Sequence, residues 1–366
     1  METTYRLFGL DFYRVAAILM VLLANTIFFF QLELPAVSDL APMIGFVGLE
    51  IFLVLSGFLL ATAFYPIFMS ETFGLGAWLH FIKIRLLRIV PLYFLIVAMN
   101  IGIAAAMDYP FDHAWKYFFF LQNFSGSIPA FFPESWGLPV IVFGMLLFTS
   151  LLFGLSKVVR QKQKSFAFLM AAIVLMLIFI WTKWLYNSVH APISMADWEM
   201  KLRTVVLYRI DSVMIGVLFG WIFRNNIIIL RKMRWFFAIL GCIGLAFLTV
   251  GVGYFHLIID DYPAFWNIVY LPLTSLILAC FLPMMSSWTK VPKGFNFIPF
   301  VSKATFSIYL THFSIVLLLL EHFLKTDAAS ANTLISLAVG YFVVAIALGC
   351  AVYFLIEKRM QNGINR

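Results

Sequence analysis

Residues 42–64, PMIGFVGLEIFLVLSGFLLATAF, carry a single ionisable side chain, Glu50, in an otherwise apolar run. The run has the length of a helix that crosses a bilayer core, which takes roughly 20 apolar residues. Similar runs lie near 10–32, 89–107, 136–156, 165–186, 204–223, 235–254, 263–283, 305–324 and 333–356. They predict an all-α, polytopic membrane bundle of about ten transmembrane helices, forming one domain over residues 1–366. Pro139 and Pro272 fall inside the runs at 136–156 and 263–283, which are the least regular of the set. Proline removes a helix hydrogen bond wherever it is not in the first turn.

Composition leads to the same class. The chain is 63% apolar and 11% charged, with a mean hydropathy of +1.00. A soluble domain is nearer half apolar and a quarter charged, so the solvent for most of this surface is lipid. Cys242, Cys280 and Cys350 lie in apolar stretches with no CxxC and no His spacing for a metal. They read as small packing residues, and no metal and no permanently bound cofactor is expected.

The net charge of +8 would suit a nucleic-acid partner if it were gathered in one patch, but it alternates from loop to loop. Arg6, Lys83, Arg85, Arg88, the basic 157–164 loop, Arg224, Arg231, Lys232, Arg234, Lys290, Lys293, Lys303, Lys358, Arg359 and Arg366 fall on one side, 18 of the 25 cations. The opposite loops carry Glu33, Asp39, Asp108, Asp112, Glu134, Asp197, Glu199, Asp260, Asp261, Glu321 and Asp327. By the positive-inside rule both termini are expected in the cytoplasm. The partners expected are membrane lipid, not nucleic acid. The first apolar run is too long for a cleaved signal, so it is expected to stay as a helix. Asn123-Phe124-Ser125 matches a glycosylation sequon on the outer side, a short and unspecific pattern.

Charges inside spans are expensive and by default functional or paired. Here they are Arg14, Glu50, Arg209, Asp211 and His312, with Asn25 as a polar companion. Arg14 and Asn25 are eleven residues apart, about 16 Å of rise and just over three turns, and so share a helix face. Glu50, Arg209 and Asp211 enter from the outer side and His312 sits mid-span, so side chains from several helices can converge. For Arg209 and Asp211 the alternative is simple pairing that holds the bundle together. Arg85 and Arg88, three residues apart with Lys83 nearby, make a basic mouth suited to phosphate oxygens; the alternative is an ordinary inner anchor.

These residues resemble the acyltransferase-3 family of ten-helix membrane acyltransferases along most of the chain. LDFYRVAAILMVLL is similar to the family's Arg-containing first helix, and Gly48-LEIFLVLSGF-Leu59 is the closest match. FIKIRLLRIVPLYF, LQNF, RIDSVMIGVLFGWI with Gly216, SKATFSIYLTHF with Ser307, Tyr309 and His312, and YFLIEKRM with Glu357 follow in the family's order.

The resemblance implies transfer of an acyl group, often acetyl, from a coenzyme A thioester, acetyl-CoA or another acyl-CoA, to a hydroxyl of a cell-envelope glycan. It implies a bacterial inner-membrane location. His312, Asn25 and Glu50 would be catalytic, and Arg14, Arg85 and Arg88 would hold the donor. Arg209, Asp211, Trp136 and Tyr309 would bind the acceptor. Where the family has His eleven residues after the first-helix Arg, this chain has Asn25. Where it has Glu shortly after the Trp opening the fourth span, this chain has Ile141 or Val142. An amide is no base near neutral pH. So His312, with Glu50 near it, takes over the base role, or the protein acts as a binding or scaffold protein, or as a small-solute transporter.

Overall fold

The computed structural model describes residues 7–27, 40–127, 129, 131–191, 193–324 and 331–364. Arg6, Glu33, Asp39, Asp327 and Arg366 of the charge pattern, and 28–32 of the first expected span, lie outside the described residues.

Ten helices occupy the ten expected positions. They are α1 (Phe8–Ile27), α2 (Leu40–Met69), α3 (Leu75–Ala106), α4 (Gly137–Leu155) and α5 (Lys164–His190). Then come α6 (Ile210–Asn225), α7 (Arg234–Tyr254), α8 (Phe265–Ser287), α9 (Phe297–Leu320) and α10 (Asn332–Gln361). Among the described residues nine are long and apolar enough to cross a membrane. The exception is α6, whose 16 residues rise about 24 Å, short of a 30 Å core. The chain reaches it through a π-turn at Glu199–Arg203 and a 3-10 turn at Val206–Tyr208. The expected start at 204 is thus replaced by a folded-in segment that ends at Arg209.

The third helix also departs from expectation. α3 begins at Leu75, not near 89, and its 32 residues rise about 48 Å. Lys83, Arg85 and Arg88 therefore sit on a helix that outruns the bilayer core, not on a loop. Pro139 falls in the first turn of α4, behind a 3-10 turn at Pro133–Trp136, where its missing N–H costs no helix bond. Pro272 follows the π-turn Phe265–Tyr270 at the start of the α-helical part of α8.

The centre of the bundle is the crossing of α2 and α6. The two run parallel: Glu50 meets Arg209, Val54 and Phe58 meet Gly216, Ala61 meets Gly220, and Thr62 accepts from Arg224. A Cβ on Gly57 would stand 1.9 Å from the Val213 carbonyl oxygen, so the small residue is what permits the approach. Helices in lipid pack chiefly through such close contact, since apolar burial gains little there. Hydroxyls in the spans turn back on their own helices, as Ser56 does to the Phe52 carbonyl at 2.6 Å and Thr149 to Met145 at 2.8 Å. Each such bond satisfies a hydroxyl without water.

Candidate active site

Two ion pairs lie fully buried beside the α2–α6 crossing. Arg209 donates to Glu50 Oε2, while Glu50 Oε1 accepts from Ser275 of α8 at 2.5 Å. Lys183 of α5 meets Asp211 at 2.5 Å. Both carboxylate oxygens of Glu50 are thus engaged. Its contacts are with α6 and α8, where the sequence reading had it near His312. Asp211 likewise belongs to a structural pair, with a lysine that the sequence reading passed over inside the fifth span. Four charges cancel in two pairs, which makes their burial tolerable. Arg209 Nε and Nη1 still have no partner among the described residues. Its guanidinium lies 6.0 Å from the Trp136 ring centroid, and Arg203 lies at 6.0 Å from the same ring.

Trp136 closes a segment, tied by side-chain hydrogen bonds, that leads into α4. Asn123 donates to the carbonyls of Trp136, at 3.0 Å, and Thr204, at 2.5 Å. Gln122 reaches Tyr93 at 3.1 Å and Ser135 at 3.3 Å. Asn123 is fully buried, so the sequon is a structural tie and offers no acceptor for a glycan.

The tied segment sets Glu134 against α9. A π-turn begins at His312 and spans His312–Leu317; such turns recur at functional sites. It presents both the N–H and the hydroxyl of Ser314 to Glu134 Oε1, at 2.9 and 2.6 Å. Tyr309 donates to the Glu134 carbonyl. Glu134 is 8% exposed, and its Oε2 has no partner among the described residues. By sequence Glu134 falls among the outer-loop acids; its place against α9 is visible only in the fold.

His312 is 2% exposed, and its Nδ1 lies 2.8 Å from the Tyr309 carbonyl oxygen. That contact assigns the proton to Nδ1 and leaves the lone pair on Nε2. The ring stacks on Tyr309 at 6.0 Å. Asn25 donates to the Val21 carbonyl of its own helix at 2.9 Å, and Tyr341 of α10 lies beside it. Tyr341, Tyr309 and Tyr117 all lie within electrostatic reach of Glu134. Burial holds the Tyr117 phenol well above its ordinary range, so it stays a donor at physiological pH.

The basic mouth forms at the other end of α1. Arg85 lies within electrostatic reach of Arg88 and Arg14. Arg14 contacts Asp11 at 3.2 Å, and Asp11 accepts from Ser302 of α9 at 2.6 Å. Arg14, Arg85 and Arg88 gather positive charge there, which suits an anion. Nearby on α9 and α10, Ser307 donates to Glu357, and Gln361 does so at 2.8 Å.

Of the expected site residues, the fold therefore gathers Arg14, Arg85 and Arg88 at one end. Deeper in it brings Asn25, Tyr309 and His312 around Glu134. Trp136, two residues on from Glu134, faces the Arg209 guanidinium of the Glu50–Arg209 pair, and Asp211 stands apart with Lys183. A family model described as an acyltransferase domain matches residues 7–354. No curated protein and no solved structure matches the chain.

Proposed function

Because the chain belongs to the membrane acyltransferase family whose model spans residues 7–354, we propose that it transfers an acyl group, acetyl in the first instance, from a coenzyme A thioester to a hydroxyl of a cell-envelope glycan. In this reading both termini are cytoplasmic and the protein sits in a bacterial inner membrane. The donor's phosphates rest on Arg14, Arg85 and Arg88, where charge-assisted bonds hold them.

The observation that carries the reading is the axis from that mouth to His312. Ser302, in contact with Arg14, and His312 are ten residues apart on α9, about 15 Å of rise. A pantetheine arm entering at the mouth reaches that depth extended. His312 Nε2 takes the proton from the acceptor hydroxyl, and the oxygen attacks the thioester carbonyl. The C–O bond forms and the C–S bond breaks. The departing thiolate recovers the proton from the imidazolium. The remaining N–H of the Asn25 amide donates to the developing oxyanion or orients the acceptor.

The test feeds radiolabelled acetyl-CoA to the purified protein with envelope glycans. Label on the glycan, lost in His312→Ala, is expected. An inactive wild type beside an active Asn25→His variant would mean that this chain has lost the chemistry and serves as a binding protein.

A further inference from the structure

Glu134 is a carboxylate committed on one side only. Oε1 takes two donors from Ser314, which fixes the group's orientation. The backbone beneath it is tied by Tyr309. Oε2 is buried and has no partner among the described residues. A buried carboxylate oxygen without a donor costs free energy that a native fold seldom leaves unrelieved. Among the described residues it forms no ion pair: the neighbours are the phenols of Tyr117, Tyr309 and Tyr341, with Asn25 beyond Tyr341, while the Arg203 and Arg209 guanidiniums stand off at the Trp136 ring. The Trp136 ring follows two residues on. Aromatic faces and a fixed acceptor, with no ion pair to it among the described residues, suit a polyhydroxyl group, whose C–H faces lie on rings and whose O–H groups need strong acceptors.

We propose that Glu134 holds the acceptor: its Oε2 accepts a hydrogen bond from one hydroxyl of a sugar, seating a neighbouring hydroxyl for reaction. The proposal rests on the acyl-transfer reading for the second hydroxyl's fate, but the binding itself does not require transfer. It also answers a gap that the sequence leaves, since residues 141 and 142 are apolar and Glu50 is occupied by Arg209 and Ser275.

The experiment uses the full chain in proteoliposomes, with octyl glucoside as the hydroxyl probe. Dicyclohexylcarbodiimide, which modifies carboxyls in apolar surroundings, is applied and labelling at Glu134 is read by mass spectrometry. Glu134 is expected to label, and octyl glucoside to reduce that labelling at least threefold, while octyltrimethylammonium does not. In transfer assays Glu134→Gln, which puts a donor where the acceptor oxygen stood, is expected to raise the glucoside KM at least tenfold and leave the acetyl-CoA KM unchanged. Labelling insensitive to the glucoside, protection by the ammonium instead, a Glu134 that the reagent cannot reach, or an unchanged glucoside KM would each overturn the proposal. If protection holds while the wild type transfers no label, the acyl-transfer reading falls and the hydroxyl site stands. If His312→Ala abolishes transfer while Glu134→Gln matches wild type, the reading stands and this proposal falls.

Discussion

Gly216 of α6 rests on the carbonyl oxygen of Val54 in α2, so closely that a Cβ there would stand 1.9 Å away. This contact, repeated at Gly57 and Gly220, sets the parallel crossing that brings Glu50 against Arg209. Gly216→Ala is expected to destabilise the protein by about 1–3 kcal/mol, the usual cost of forcing volume into a packed contact. Gly102, with nothing within 4 Å of a built Cβ, is the control. Its replacement by Ala should change stability by less than about 0.5 kcal/mol. Denaturant titration in detergent micelles separates the two.

The buried pairs answer to a different logic. Removing one partner leaves an uncompensated charge, so Glu50→Leu or Arg209→Leu is expected to cost about 3–5 kcal/mol. The double variant should be more stable than either single one. If the double variant is instead as unstable as the summed singles, the two side chains act independently and the pairing is not what holds them.

At the basic mouth the prediction concerns the donor. Arg85→Ala and Arg88→Ala are expected to raise the acyl-CoA KM roughly tenfold or more, the size of a lost charge-assisted bond. An acyl-pantetheine donor without the nucleotide phosphates should be used equally well by wild type and variants. Equal losses on both donors would make the arginines an anchor and nothing more.

Asn123 is read as a tie between Trp136 and Thr204. Expressed in a glycosylating host, the protein should gain no glycan at this sequon. Asn123→Ala should cost about 1–3 kcal/mol, because it strips a buried donor from two carbonyls. A mobility shift removed by a glycosidase would contradict the assignment.

Helix number and class were legible in the sequence because lipid solvation writes itself as long apolar runs, and the runs at 42–64 and 235–254 land within a few residues of α2 and α7. The short α6 was not legible, since hydropathy does not distinguish a spanning helix from a folded-in π-turn at Glu199–Arg203. Lys183 carried its own signal, a cation inside the apolar fifth run, and marks Asp211 as a pairing residue. Glu134 carried none: it precedes its helix, and its burial comes from contacts distant in sequence, such as Ser314 across 180 residues. Arg14 lies within electrostatic reach of Arg85; the family resemblance groups the two, where charge alone groups Arg85 with Arg88 and Lys83. The partner of His312 was not legible, because the tautomer depends on the Tyr309 carbonyl, a backbone group.

With the donor proposed at the basic mouth and the acceptor proposed at Glu134 on the opposite side, the proposed reaction runs from one face of the membrane to the other, and sidedness measures it. Proteoliposomes are loaded with radiolabelled acetyl-CoA inside, washed, and given envelope glycan outside. Molecules inserted with the basic mouth inward suffice for the signal. The account predicts label on the outer glycan, abolished by His312→Ala and strongly reduced by Arg85→Ala. Label appearing only when donor and glycan share one side, or persisting undiminished in His312→Ala, would contradict it.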